Sequence, residues 1–360
     1  MDKKHRSTGI DLFRGIAAYA VIVIHAEHNA AIPGSWAAKL VHFSLLAVPF
    51  FLAASFYLTI NSVYVKGCKY SLKTRINRII IPCWIWSAIY ILERVSESLI
   101  LKNVAINVIF QDPLAIIFFG LAAYHLYFLP LLLAGNVVVK FIFRLIKAKV
   151  HVLILFFAAS IFAYNLCLAS GNSFQLSTGT AFQALLALIL PDGNKNPLLR
   201  LVLVEFSWVL RCLPYIFLAM ILNHPSIRGY LSKFNSKSTI VLFSIFFVIN
   251  AFGSSFLPEA IYEIARGYSA LIFSISLSFN IKENAIIKNL GLCCCGIYLV
   301  HLLVLHIFQS IYKKVYPGSE NMPATVISIL VLSSLTFLVS WIIAYLLTRN
   351  KSVSKFLFGV

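Results

Sequence analysis

Charge is what this sequence has least of. Only 12% of its 360 residues are Asp, Glu, Lys or Arg, about half of the roughly 25% that a soluble domain carries. With 60% of the residues hydrophobic, the chain has too few polar side chains to build the skin that a water-soluble fold needs. Metal-ligand spacing and a secreted disulfide framework are also missing. The seven cysteines are Cys68, Cys83, Cys167, Cys212 and the run Cys293, Cys294, Cys295, none in a zinc or bridge pattern, so no metal is expected. Most lie in apolar stretches, where a free Cys packs as a small hydrophobe. No small-residue cleavage site follows the basic stretch 1–6, so the first apolar run reads as a retained helix. Repeats, low-complexity tracts and a separate soluble domain are absent, and residues 1–360 read as a single membrane-embedded domain.

What the chain does have is long apolar runs. About twenty such residues cross a bilayer as a helix, and ten segments qualify, near 10–27, 40–61, 79–100, 125–143, 150–169, 200–222, 238–253, 259–280, 290–312 and 323–347. The seventh is short and the eighth polar. The stretch 106–123, with Pro113, reads as an interfacial or re-entrant piece. The expected fold is therefore all-α, a polytopic membrane protein of about ten transmembrane helices. Twenty of the 30 Lys and Arg residues fall in the two tails and alternate loops, including Lys3, Lys4, Arg6, Lys66, Lys69, Lys73, Arg75 and Arg78. The other side receives six, Lys39, Lys102, Lys195, Arg200, Lys313 and Lys314. By the positive-inside rule both termini are cytoplasmic. The net charge of +18 sits in clusters between apolar runs, which is membrane flanking, not a nucleic-acid surface. The bilayer is the expected partner; oligomeric state is unreadable.

Four arginines fall inside the expected spans, Arg14, Arg94, Arg211 and Arg266. A charge facing lipid at the centre of a span costs at least ~2.5 kcal/mol, so each should face protein or snorkel. The first span is the most informative. Arg14 and His25 are eleven residues apart, three turns plus ~20°, so they share a helix face about 16 Å apart along the axis. Asp11 lies three residues before Arg14 and can pair with it. An imidazole at that place can take a proton near neutrality. Glu205 and Arg211 share a helix without needing to pair, Glu263 and Arg266 are spaced for a local ion pair, and His125 and His301 read as structural before catalytic.

The segment Asp11-Leu-Phe-Arg14-Gly-Ile-Ala through Val-Ile-Val-Ile-His25 resembles the opening of bacterial membrane O-acyltransferases, acyltransferase family three, in their stand-alone form without a periplasmic hydrolase-like domain. Further matches follow in order: Val48-Pro49-Phe50-Phe51, Arg75-Ile-Asn-Arg78 before Pro82, His125-Leu-Tyr-Phe-Leu129, Arg211-Cys-Leu-Pro214 and Gly296-Ile-Tyr298-Leu-Val-His301. The family's Ser-Gly pair is replaced here by Ala54-Ser55, and Cys294-Cys295 stand where Ser-Tyr is common.

The resemblance implies an O-acetyltransferase of the bacterial inner membrane that moves acetyl from cytoplasmic acetyl-CoA to a surface polysaccharide hydroxyl. The acceptor would be a lipid-linked or assembled sugar such as the O-antigen of lipopolysaccharide. Arg75 and Arg78, in a cytoplasmic loop, would hold the phosphates of CoA, and the pantetheine arm would run past Arg14 toward His25. His25 would be general base or covalent nucleophile, and Arg14 would hold the donor or offset developing charge. A secondary transporter or glycan flippase is the alternative, favoured by buried Arg and Glu but lacking repeats or paired broken helices.

Overall fold

The computed structural model describes residues 7–26, 32–64, 70–101, 110, 112–170, 197–231, 233–316 and 323–359. Lys3, Lys4, Arg6, Lys66, Lys69, Lys102, Lys195, Cys68 and the start of the 106–123 stretch lie outside the described residues. No strand occurs among the described residues. In hydrocarbon the backbone must satisfy its own polar groups, and a helix does this within one segment.

In chain order the helices are α1 Thr8–His25, α2 Trp36–Ser44, α3 Ala47–Tyr64, α4 Leu72–Leu101, α5 Pro113–Phe119, α6 Phe128–Ile142, α7 Val150–Ala169 and α8 Pro197–Asn223. Then follow α9 Pro225–Leu231, α10 Ser236–Phe252, α11 Glu259–Leu277, α12 Ala285–Val315, α13 Val326–Thr348 and α14 Lys351–Phe358. All ten expected segments fall on helices. Nine spans among the described residues have the length and apolarity to cross a membrane; the tenth is the more polar α11, with Glu259, Glu263 and Arg266. The expected segment 40–61 is two helices, α2 and α3, broken at Leu45–Leu46. Side-chain caps mark several starts: Ser35 on α2, Asp112 on α5, and the reciprocal pairs Asn235–Ser238 on α10 and Thr325–Ser328 on α13. Each satisfies helix-start N–H groups that have no partner in the helix.

Contacts divide the chain into two compact units, Met1–Ser55 with Arg228–Ser354, and Phe56–Ile227 with Lys355–Val360. In the first, α1 packs against α2, α11, α12 and α13. The contacts are close because glycines remove side chains from them, the usual means of packing helices that gain nothing from hydrophobic burial against each other. A Cβ on Gly9 would overlap the Ser274 carbonyl, one on Gly15 the Leu290 side chain, and one on Gly291 the Asp11 carboxylate. Helix α13 is inverted relative to a soluble helix. Its buried face is Ile329, Ser333, Thr336, Ser340 and Ala344, while Leu335, Leu338 and Ile342 are about half exposed. An apolar solvent explains that polarity, and Tyr19 meets the inner face through Ser333 and Ser334 at 3.0 and 3.1 Å.

In the same unit Arg266 is 4% exposed. Its Nη2 donates to the carbonyls of His42 (3.0 Å) and Asn250 (3.2 Å), and its guanidinium lies 4.5 Å from the Tyr262 ring centroid. Those carbonyls sit in the last turns of α2 and α10, where helices leave acceptors open and a cation is favoured. Arg266 therefore pays for its burial by closing two helix ends.

In the second unit, α8 packs against α6 and α7, and α6 against α4. The Asn61 amide donates to Asn223 (2.9 Å), whose own amide donates to the Tyr57 carbonyl (3.3 Å). Asp112 caps α5 and pairs with Arg200 of α8. Pro82 lies inside α4 and Pro214 inside α8.

Gly9→Ala, which meets backbone, is expected to destabilise the protein by about 1–3 kcal/mol. Gly229→Ala, with open space around the new methyl, should be neutral or stabilising by up to about 1 kcal/mol. Thermal unfolding of both variants in detergent checks the pair.

Candidate active site

The seam between α1 and α12 gathers the first group of predicted residues. The His25 and His301 rings are stacked, with centroids 5.6 Å apart and planes 18° from parallel. His301 is fully buried, and its Nδ1 lies 2.6 Å from the Tyr298 carbonyl one turn earlier. A carbonyl only accepts, so Nδ1 carries the hydrogen there, and in the neutral ring Nε2 keeps a lone pair. Tyr298 lies 6.0 Å from His301 and 6.4 Å from Phe51, ring to ring. His306 is near enough to interact electrostatically with both histidines.

Further along the seam, Arg14 Nη1 is 3.6 Å from the Asp11 carboxylate, as the three-residue spacing predicts. The Cys294 thiol lies near enough to interact electrostatically with the guanidinium. Cys294 and His301 are seven residues apart, two turns, so they share a face of α12. The Arg14–His25 face of α1 and this face of α12 therefore meet in register. Two sequence expectations change here. The cysteine run is more than apolar filler, since Cys294 partners Arg14 and Cys293 lies 3.7 Å from Asn289 Oδ1. His301, ranked as structural, stands against the predicted base. Its spacing from Cys294 was the available signal, but pairing it with α1 needed the fold.

Arg75 and Arg78 belong to the other unit. They were expected in a loop; instead they occupy the first two turns of α4, three residues apart on one face. Arg75 is half-buried, its Nη1 donates to Thr59 Oγ1 (2.9 Å), and its guanidinium lies 5.0 Å from the Tyr70 ring centroid. Tyr70 donates to the Asn136 carbonyl at 2.6 Å. Burial pushes the Tyr70 phenol up to about 12 although Arg75 opposes the shift, so the ring over the guanidinium is neutral. Arg78 is exposed. Thr59 and Tyr70 carried no sequence signal.

The other polar residues of the spans have separate accounts. Arg94 donates to the Ala122 carbonyl at 3.5 Å. His125 is buried edge-on to Tyr90 at 5.1 Å. Beside it, burial and the Glu93 carboxylate push the Tyr124 phenol up to about 12. Glu205 lines a cavity of about 240 Å³ otherwise walled by apolar groups such as Ile79, Trp84, Pro130 and Val137. Among the described residues no cluster of His, Cys, Asp or Glu is placed to hold a metal ion.

A family model described as an acyltransferase domain, that of acyltransferase family three, matches residues 7–345. The chain belongs to acyltransferase family three. The family's single model runs through both compact units. The chain is also 25% identical over 333 residues to an amino-acid racemase of Enterococcus faecalis, a match covering 87% of this chain and 43% of the racemase. The chain thus spans less than half of that relative, and racemisation is stated of the relative alone. No solved structure matches significantly.

Acyl transfer to a hydroxyl calls for a base at the acceptor and a cation along the donor. The seam holds two imidazoles, one with a fixed tautomer, and a guanidinium on the same face of α1. His25→Ala and His301→Ala are each expected to lower kcat by about 10²–10⁴. The double variant should lose little more than the worse single one, the outcome expected of two groups that serve one step. Acyl-transfer rates of the purified variants, with folding checked by thermal unfolding, decide this.

Proposed function

We propose that this acyltransferase is an O-acetyltransferase of the bacterial cytoplasmic (inner) membrane. Its donor is cytoplasmic acetyl-CoA, and its acceptor is a hydroxyl of a surface polysaccharide unit, such as the O-antigen of lipopolysaccharide, on the outer side. The observation that carries the proposal is the stacked His25–His301 pair on the seam that also holds Arg14, in a chain of an acyltransferase family.

The charge distribution supports the orientation. Arg75 and Arg78 start α4 on the side that collects twenty of the 30 cations, while His25 ends α1 at the opposite side. Guanidinium groups bind phosphate bidentately, which suits Arg75 and Arg78 to the nucleotide end of CoA. Arg14, about 16 Å back along α1 from His25, holds the arm of the donor so that the thioester reaches the histidine. His25 then removes the proton of the sugar hydroxyl as that oxygen attacks the acetyl carbon. The C–S bond breaks, CoA leaves as thiolate and is reprotonated, and the ester stays on the sugar. His301 supports the step from behind: its Nδ1–H is committed to Tyr298, so its Nε2 serves as an acceptor.

The test is mass spectrometry of surface glycan from cells lacking the protein and from cells complemented with wild type or His25→Ala. The acetyl mass increment should vanish in the deletion and return only with wild type. Unchanged acetylation with altered glycan export would overturn the proposal in favour of transport.

A further inference from the structure

Arg75 is held through its side chain, but among the described residues no hydrogen bond or ion pair engages the Arg78 guanidinium. Its backbone is held instead. Pro82 lies four residues on and has no N–H, so the Arg78 carbonyl loses its helical donor. Gly359 closes over that carbonyl. A Cβ built on Gly359 would overlap the Arg78 oxygen and lie 2.9 Å from its carbonyl carbon. The hydrogen occupying that position therefore points at the oxygen, a Cα–H···O=C contact. Gly359 is buried and has a φ of +68°, which an L side chain rarely adopts.

The contact is anchored two turns further along α4. Trp86 Nε1 donates to the Leu357 carbonyl at 2.8 Å, and the Trp86 and Phe358 rings stack at 6.4 Å and 19°. Trp86 and Phe358 are 4% and 2% exposed. Helix α14 has Lys351, Lys355 and Phe356 outward and Ser354 and Phe358 inward. Residues 355–359 thus strap the first turns of α4 at the carbonyl that proline leaves open.

We propose that Gly359 and Trp86 are positioning residues for donor binding, acting through Arg78: the strap fixes the α4 backbone that presents Arg78 to the phosphates of CoA. This rests on the reading that Arg75 and Arg78 hold those phosphates.

The test is calorimetric binding of coenzyme A to the full-length protein in nanodiscs, which needs no acceptor. Arg78→Ala and Gly359→Ala are each expected to weaken binding about tenfold, and the double variant no further than about twofold beyond either. Gly359→Asn separates two causes, because Asn tolerates positive φ yet carries a Cβ. It should weaken binding as Ala does. Trp86→Phe keeps the ring and loses the donor, and should weaken binding about threefold, so the proposal stays testable if Gly359→Ala does not fold. A strap that is only structural would lower the active fraction and leave the affinity of the folded protein unchanged. Wild-type affinity in folded Gly359→Ala or Trp86→Phe, with Arg78→Ala weakened, overturns the strap and leaves the arginine reading standing. Additive losses in the double variant also overturn it. Wild-type affinity in Arg78→Ala removes both.

Discussion

Inside hydrocarbon an unpaired carbonyl or cation costs several kcal/mol and water is not there to relieve it. The polar residues of this chain are arranged around that cost. Arg266 closes the last turns of α2 and α10 with one guanidinium. Asn223 ties its amide into α3 through Asn61 and Tyr57. The buried serines and Thr336 of α13 turn inward while its leucines face out. These polar groups are turned toward protein, and the apolar exterior is what the same rule leaves over.

Close packing follows from the same solvent. Lipid does not push two apolar helices together, so α1 and α12 must gain their contact from shape, and glycines at 9, 15 and 291 let the backbones approach. That approach has a chemical consequence. It brings Arg14 to Cys294 and His25 to His301, eleven residues on one helix matched to seven on the other. The packing that stabilises the seam and the geometry of the proposed site are one arrangement, so a residue such as Asp11 belongs to both: it faces Gly291 and pairs with Arg14.

The spans were legible because bilayer thickness imposes a length that a sequence displays directly. The Arg14–His25 face was legible because it depends on one helix and its period. What depends on contacts distant in the chain was not. His301 looked like an ordinary core histidine, since nothing near it in sequence announces α1. The break at Leu45–Leu46 was hidden because its repair, Arg266, lies more than two hundred residues away. Arg75 and Arg78 were expected in a loop because charge and polarity mark loops; α4 extends into that polar stretch, from Leu72. The contact of Gly359 with Arg78 has no local signature at all.

Positive-inside topology and anion binding both put arginines on the cytoplasmic side, and counting charges cannot separate them. Their geometry can. Topology asks only that a cation stay out of the bilayer, which an exposed Lys with a free stem does at the least entropic cost. It gives no reason to half-bury Arg75, to bond it to Thr59, or to hold it over a tyrosine that is itself tied to Asn136. Ordering an arginine costs side-chain entropy, and a rigid guanidinium offsets that cost where two oxygens of an anion must be met in a fixed direction. The second arginine, three residues on, has a free side chain on a braced backbone. A held guanidinium beside an exposed one is the arrangement on which the proposed phosphate contact rests.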